Sequence, residues 1–73
     1  MHMDSPKYRE DVGKKIKAIR EKANLTQAEV AIKAKMNINY FAVIERGEVT
    51  TSIEKLQKIA DALGVNISKI TSF

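Results

Sequence analysis

Residues 26–47 read TQAEVAIKAKMNINYFAVIERG and contain the start and stop signals of two short helices. Thr26 can cap the first helix, because Glu29 follows at the spacing at which the hydroxyl accepts one backbone N–H and the carboxylate reaches back to another. Asn37 is a second residue of a type that caps helices. Gly47 stands where a helix end needs a residue that is free to adopt a positive φ. The stretch therefore predicts one capped helix after Thr26 and another after Asn37.

The two helices are expected over residues 27–34 and 38–46, with Lys35 and Met36 in the turn between them. Each carries apolar residues at helical spacing on one side. These are Val30, Ala31 and Ala34 in the first helix, and Phe41 and Ile44 in the second. Two short helices joined by so tight a turn form the helix-turn-helix pattern.

Two runs within this stretch match a known family: Thr26-Gln27-x-Glu29-Val30-Ala31, followed by Phe41-x-x-Ile44-Glu45-x-Gly47. They resemble the XRE family of DNA-binding domains, which is related to the phage Cro and lambdoid repressors. Tyr40 and Arg46-Gly47 are similar to the short controller proteins of restriction–modification systems. The similarity extends from about Val12 to Thr71, nearly the whole chain. It implies an all-α, five-helix lambda-repressor-like DNA-binding domain with a helix-turn-helix.

The chain departs from this family at Lys35, where the family usually has glycine. A lysine at that position must either adopt a left-handed backbone, at a cost of about 1 kcal/mol, or use a slightly different turn.

Length and charge allow a small DNA-binding domain without requiring one. The 73 residues suffice for one domain but lie near the lower limit for a self-sufficient core, so a dimer partner would stabilise it. Residues 1–4 are interpreted as a disordered tag remnant and residues 5–73 as a single helix-turn-helix domain. The net charge of +4, from 13 basic and 9 acidic residues, is compatible with a polyanionic partner.

Several other classes of function lack the residues that they need. The chain has no cysteine, and its single histidine, His2, lies near the start, so neither a metal site nor a cofactor is expected. No nucleophile–base pair and no glycine-rich phosphate loop is visible, so the chain is not expected to be an enzyme. No apolar run approaches the length of a membrane span and no signal peptide is visible, which predicts a cytoplasmic protein without membrane contact.

A long helix is expected before the helix-turn-helix. Ser5 and Pro6 form a helix-start signal, and Asn24 is a plausible left-handed stop. The apolar side of this helix consists of Val12, Ile16, Ile19 and Ala23. Gly13 lies within it and is expected to allow the close approach of a neighbouring helix.

Two more helices are expected after Gly47. The fourth helix should begin after a cap at Thr51 or Thr50 and end at Gly64. Asn66 can cap a last short helix over residues 67–71. The predicted core of the whole domain consists of Val12, Ile16, Ile19, Leu25, Val30, Ala31, Phe41, Ile44, Leu56, Ile59, Leu63 and Val65.

The outer side of the second helix of the pair carries the candidate base-reading residues. A helix-turn-helix lays this helix in the major groove of DNA, with its N-terminal side chains on the base edges. The candidates for base contact are Asn37, Ile38, Asn39 and Val43. An asparagine could pair with adenine, and Ile38 or Val43 could touch thymine methyl groups. Alternatively, Asn37 is only a helix cap and Asn39 a solvated surface residue.

A second set of residues is expected to hold the DNA backbone. Gln27 opens the first helix of the pair, where its amide and the adjacent N–H groups suit a phosphate oxygen. The candidates for phosphate contact are Thr26, Gln27, Lys35, Tyr40, Arg46 and Thr50. Gln27 could instead be a solvated helix-start residue, and Tyr40 an aromatic ring packed on the edge of the domain. The lysines of the first helix, Lys14, Lys15, Lys17 and Lys22, are interpreted as a solvated face.

Two further groups are assigned to structure and assembly. The family resemblance implies a structural ion pair between Arg20 and Glu45, which would set the tilt of the recognition helix. The C-terminal apolar residues exceed what a short helix can bury, which predicts a two-fold dimer interface. Its residues are Val65, Ile67, Ile70 and Phe73. The alternative is that they cover the core of their own subunit.

The leading hypothesis is a sequence-specific transcriptional regulator that binds a near-palindromic operator in double-stranded DNA as a homodimer, without a small-molecule ligand. The alternative is a protein-interaction or antitoxin module of the same fold, because fold alone does not set function. The apolar outer residues that motivate this alternative are Ile32, Ile38, Ala42 and Val43.

Overall fold

A computed structural model describes residues 5–72, which form five α-helices and no strand. The helices are α1 (Pro6–Lys22), α2 (Gln27–Lys33), α3 (Ile38–Glu45), α4 (Ile53–Leu63) and α5 (Ser68–Thr71). The prediction of an all-α, five-helix architecture is confirmed. The predictions for residues 1–4 and for Phe73 lie outside the described residues.

The core is a single cluster to which all five helices contribute. Its buried apolar residues are Val12, Ile16, Val30, Ala31, Ala34, Phe41, Ile44, Leu56, Ile59, Ala60, Leu63 and Ile70. Three residues predicted for the core, Ile19, Leu25 and Val65, are only partly buried and pack against its edge. Ile70 is predicted for a dimer interface, but its side chain is fully buried within its own subunit.

The caps of the helix-turn-helix follow the sequence prediction. The backbone N–H of Glu29 donates to the Thr26 hydroxyl over 3.1 Å, and the N–H of Thr26 donates to the Glu29 carboxylate over 2.8 Å. The Asn37 side-chain oxygen accepts from the N–H groups of Asn39 and Tyr40, at 2.7 and 3.3 Å. These local bonds begin α2 and α3 at the predicted residues.

The cap of α4 differs from both predicted alternatives. Ser52 caps this helix, because its hydroxyl accepts from the N–H of Lys55 over 3.1 Å. The hydroxyl of Thr51 instead lies 3.2 Å from the Tyr40 hydroxyl of α3. Three consecutive hydroxyl residues can each cap a helix. In this fold Ser52 is the cap, while the Thr51 hydroxyl contacts Tyr40.

Gly13 brings α1 against the C-terminal end of α3, the close approach expected of it. A Cβ atom at this position would lie 2.8 Å from the Glu45 carbonyl carbon and 2.8 Å from the Ile44 carbonyl oxygen, both of them backbone atoms. Gly47, which has a φ of +72°, packs against the backbone of Glu10 in α1. The recognition helix therefore ends in direct backbone contact with α1.

The turn between α2 and α3 adopts the left-handed alternative at Lys35, whose φ is 57°. The N–H of Met36 then donates to the Ala31 carbonyl over 3.0 Å and closes the end of α2. Asn24 also has a positive φ, of 60°, as predicted for the stop after α1.

Candidate nucleic-acid interface

The two sides of α3 have opposite environments. On the inner side Phe41 is fully buried and Ile44 is 3 % exposed. On the outer side Ile38 is 43 % exposed, Asn39 is exposed and Val43 is half-buried. The helix is therefore anchored by its aromatic and aliphatic side chains, while an uncharged outer surface is left at the protein boundary.

The cap at Asn37 limits what this residue can offer a base. Its side-chain oxygen already accepts two backbone N–H groups, from Asn39 and Tyr40. Pairing with adenine in two bonds needs both the oxygen and the nitrogen of a carboxamide. Asn39 is exposed two positions further on and keeps both groups for such a pair.

A buried polar network joins the three helices that position this surface. Arg20 of α1 donates to Glu45 of α3 twice, from Nε to Oε2 at 2.6 Å and from Nη2 to Oε1 at 3.1 Å. Its Nη1 donates to the Leu25 carbonyl over 2.9 Å. Gln27 of α2 donates from Nε2 to the same Glu45 Oε1 at 3.0 Å. The resemblance implied the Arg20–Glu45 pair, but it did not include Gln27 in the network.

The electrostatics of the network favour the charged form of Arg20. The hydrogen bonds from Arg20 to Glu45 raise the pKa of Arg20, and burial opposes this effect without cancelling it. Both residues are largely withdrawn from solvent, with 9 % of Arg20 and 6 % of Glu45 exposed. Charge-assisted, two-pronged bonds of this kind hold a fixed geometry.

The network also sets the orientation of Gln27, a candidate phosphate ligand. One hydrogen of its side-chain NH₂ group is used by Glu45. An NH₂ group carries two hydrogens, so the second is left for a phosphate oxygen. Gln27 is half-buried, and its bond to Glu45 fixes the position of its side chain.

The other candidate phosphate ligands differ in how far they are engaged. The Tyr40 ring is half-buried, its hydroxyl lies 3.2 Å from Thr51, and the Lys55 ammonium lies 5.7 Å from the ring centroid. Thr26 is held in the capping box. Lys35 and Thr50 are exposed.

Arg46 is exposed and paired with Glu48. Its Nε donates to Oε2 at 2.9 Å and its Nη2 to Oε1 at 3.2 Å. These bonds raise the pKa of Arg46 and lower the pKa of Glu48. Exposed pairs of this kind are weak, so the guanidinium can exchange its partner for a phosphate.

A polar cleft of about 670 Å³ adds Lys14 and Lys17 to the candidate residues, although the sequence pattern assigned both lysines to a solvated face. It lies between α1 and the end of α3, and its cationic and amide residues are Lys14, Lys17, Gln27 and Arg46. Its carboxylates are Glu10, Glu45 and Glu48, two of which are paired with arginine. In the sequence, the spacing of residues 10, 14 and 17 places them on one side of α1, and this spacing is the signal that could have grouped the two lysines.

The predicted dimer surface needs correction. Ile70 has no exposed surface, so it cannot contact a second subunit in this fold. Its helix is only four residues long and turns this side chain into the core. Val65 and Ile67 are half-buried, and Phe73 lies outside the described residues. Of the predicted interface residues, Val65 and Ile67 are therefore the two that stay available for contact with a second subunit.

Two other kinds of site are absent from residues 5–72. No group of three or more histidine, cysteine, aspartate or glutamate side chains in this range is placed to hold a metal ion. No helix in the same range has the length and apolar character that crossing a bilayer requires.

Comparison with known proteins matches this geometry to one family. Residues 16–70 match the sequence profile of the helix-turn-helix family. The chain is 44 % identical to the immunity repressor protein of Bacillus phage phi105 over 59 residues, which cover 81 % of this chain and 41 % of the repressor. It is 34 % identical to the control protein C.BamHI of Bacillus amyloliquefaciens over 62 residues, 84 % of this chain and 76 % of that protein.

The same fold occurs in the crystal structure of the restriction-modification controller protein C.AhdI from Aeromonas hydrophila. The TM-score is 0.83 at 22 % identity, covering 85 % of this chain and 94 % of that one. The resemblance to controller proteins noted in the sequence is confirmed by the match to C.BamHI. The immunity repressor and C.BamHI are named for repression and control, in agreement with the prediction that the chain is not an enzyme.

Proposed function

This chain belongs to the helix-turn-helix family, and on that premise we propose that it is a transcriptional regulator that reads double-stranded DNA with the outer side of α3. The observation that supports this most directly is the contrast between the two sides of that helix. Phe41 anchors the inner side in the core, whereas Ile38 on the outer side is 43 % exposed. The major groove, about 12 Å wide, admits one α-helix in this position. We place this transcriptional regulator in the cytoplasm, where it would reach its operator.

The chemistry of the outer side favours A·T base pairs at the contacted positions. Ile38 and Val43 present apolar surface suited to the thymine methyl group. Asn39 supplies a donor and an acceptor suited to adenine. No arginine or lysine lies among the four candidate base-reading residues, so recognition of guanine by a cationic side chain is not expected from them.

The DNA backbone would be held around this helix. Gln27 and Arg46 line the cleft that also contains Lys14 and Lys17, so these four side chains form the main proposed phosphate set. Thr26, Lys35, Tyr40 and Thr50 are proposed as further contacts. Phosphate contacts position a protein on the duplex, whereas base contacts provide specificity.

Assembly as a homodimer on a near-palindromic operator is the further part of the proposal. The half-sites would then lie about 34–36 Å apart. The interface is proposed around Val65 and Ile67. Ile67→Asp should give a monomer in sedimentation, whereas Ile53→Asp, at an exposed site at the other end of α4, should sediment like the parent. Equal sedimentation of both variants and the parent would exclude this interface.

Selection of bound duplexes from a random pool tests the DNA-reading proposal and identifies the operator at the same time. The parent should enrich one motif that is rich in A·T pairs. Ile38→Ala should change the preferred base at particular positions, whereas Gln27→Ala should weaken binding to all sequences by a similar factor. Lys58→Ala, on an exposed part of α4, is the matched control and should leave both measurements unchanged.

The protein-interaction alternative has one observation in its favour. Ile32 of α2 is 76 % exposed, the highest value among the exposed large apolar residues of the described chain. If the random pool shows no enrichment at matched salt, the regulator proposal fails, and a protein partner that covers Ile32 becomes the better explanation. Ile32→Ser should then abolish capture of that partner.

A further inference from the structure

An open apolar groove of about 510 Å³ lies on the side of the domain formed by α1 and the junction between α4 and α5. Ile19, Leu63 and Val65 contribute to its apolar surface. Lys15, Lys22 and Lys69 also line it, and none of its lining residues is acidic. The groove thus combines an apolar floor with a rim of a single charge sign.

The rim lysines differ in how far they are engaged. Lys15 donates to the backbone carbonyl of Ser72, which holds the chain after α5 against α1. Lys22 and Lys69 are exposed, and within residues 5–72 neither makes a side-chain hydrogen bond or ion pair. Two ammonium groups are therefore available on opposite walls of one groove, on α1 and on α5.

We propose that this groove binds an acidic amphipathic helix of another protein. An amphipathic helix places its apolar side in a hydrophobic groove, and its anchors recur at i, i+3, i+4 and i+7. The groove follows α1 from Lys15 to Ala23, which corresponds to about 12 Å of helix. Carboxylates that flank the anchors would meet Lys22 and Lys69, and this complementarity selects an acidic segment.

A second copy of this chain suits the groove less well. A two-fold interface uses the same patch on both subunits. The three rim lysines would then face the rim lysines of the other copy, since no acidic residue lines the groove to pair with them. Like charges placed together disfavour a partner, whereas an acidic helix has the opposite sign.

The groove and the proposed DNA surface occupy different sides of α1. Lys14 and Lys17 line the polar cleft, whereas Lys15 and Lys22 line the groove. At 3.6 residues per turn these pairs point in directions about 120° apart. No residue that lines the groove belongs to the proposed base or phosphate set. The proposal therefore goes beyond DNA binding. Val65 is the one lining residue that the groove shares with the proposed dimer interface, whereas Ile67 does not line the groove.

Fluorescence anisotropy of the full chain with a labelled synthetic peptide tests the groove. The probe is a helix with leucine at i, i+3, i+4 and i+7 and glutamate at the remaining positions. We expect saturable binding, a loss of about tenfold or more in Lys22→Glu/Lys69→Glu, and a comparable loss in Ala18→Trp. Ala18 is exposed and lines the groove, so tryptophan should fill the groove without disturbing the fold, and circular dichroism of each variant checks this.

The matched control is Lys33→Glu/Lys58→Glu, which changes the net charge equally at exposed sites outside the groove and should retain binding. A probe with lysine in place of glutamate should not bind. Equal loss in both double variants, or equal binding of the lysine probe, would overturn the proposal. Because Ile67 does not line the groove, the Ile67→Asp variant should bind the peptide at least as tightly as the parent, and loss of peptide binding in this variant would overturn the proposal. Binding to phosphatidylserine vesicles in place of the peptide would assign the groove to a lipid surface instead.

Discussion

Arg20 of α1 and Glu45 at the end of α3 are joined by two hydrogen bonds, of 2.6 Å between Nε and Oε2 and of 3.1 Å between Nη2 and Oε1. Gln27 of α2 donates to the same carboxylate. One buried side chain thus connects the helix that supports the helix-turn-helix with both helices of the motif. The tilt of α3, and with it the direction of the outer surface, depends on this carboxylate.

Replacing Arg20 alone should lower the free energy of unfolding more than replacing both Arg20 and Glu45. Arg20→Met leaves Glu45 buried without its cation, which should lower the free energy of unfolding by about 3–5 kcal/mol. Arg20→Met/Glu45→Met should lose less, because no buried charge is left. Urea denaturation in sodium sulfate, which strengthens apolar burial, keeps the weaker variants measurable. Arg46→Met is the control: it breaks the exposed pair with Glu48 and should change the free energy of unfolding little. A double variant no more stable than Arg20→Met would contradict this account.

Gly13→Ala should destabilise the domain although alanine normally stabilises a helix by about 1 kcal/mol relative to glycine. The added Cβ would lie 2.8 Å from backbone atoms of Ile44 and Glu45, which cannot move without shifting α3. Overpacking of this kind costs about 1–3 kcal/mol. Gly64→Ala is the comparison, because open space surrounds Gly64 and only the strain of its φ of +73° remains. Thermal unfolding should rank Gly13→Ala as the less stable variant, and the reverse order would show that α1 and α3 can separate easily.

Lys35→Gly should stabilise the turn of the motif. Lys35 has a φ of 57°, a left-handed conformation that costs an L-residue about 1–2 kcal/mol. Glycine removes this strain but loses about 0.5–1 kcal/mol through the entropy of the unfolded chain, so a net gain of up to about 1.5 kcal/mol is expected. Lys33→Gly, two residues earlier within α2, should lose stability instead. A loss in both variants would indicate that the Lys35 side chain contributes more than its backbone strain costs.

The capping box of α2 should make stability depend on acid. The backbone N–H of Thr26 donates to the Glu29 carboxylate and lowers the pKa of Glu29 below its ordinary value of 4.5. The contribution is therefore complete above the unfolded pKa and is lost as the pH falls through the lower folded value. The parent should therefore be more stable than Glu29→Gln at pH 6. This difference in free energy of unfolding should shrink as the pH falls from about 6 to 3, because Glu29 becomes protonated. Unfolding measured across this range provides the check, with Glu54→Gln in the first turn of α4 as the control.

Lys14 and Lys17 should contribute to DNA affinity through phosphates, if the proposed function holds. Each neutralised phosphate adds about −0.9 to the slope of log affinity against log salt. Lys14→Ala/Lys17→Ala should therefore flatten the slope by up to about 1.8 for each bound subunit without changing the preferred sequence. Lys58→Ala should leave the slope as it is. An altered sequence preference in the double variant would mean that these lysines act through the position of α3.

Features that depend on neighbouring residues were predictable. Thr26 and Glu29 satisfy each other's backbone groups within a single turn, and the oxygen of Asn37 reaches N–H groups two and three residues away. The positive φ of Asn24 and Gly47 follows from residue type and the helix end beside it. These bonds join residues within one turn of helix, so their signal is present in the local sequence.

Features that depend on packing between distant segments were not predictable to the same degree. A four-residue helix has no periodicity from which a buried side can be chosen, so the sequence pattern places Ile70 at an interface although α5 turns it into the core. The cleft shared by Lys14, Lys17 and Arg46 exists only because α1 crosses the end of α3. The choice of Ser52 over Thr50 or Thr51 as a cap could not be read from three similar side chains in a row.

The sequence by itself determined the five helices, their capping residues within the helix-turn-helix and the apolar side by which α3 is anchored. The reason is that these depend on hydrogen bonds and periodicity within a few residues. Only the tertiary structure decided which polar side chains converge around Glu45, which lysines share a cleft with Gln27 and which apolar residues stay open on α1. Those arrangements depend on the contact between helices at Gly13, where the absence of a side chain lets two backbones meet.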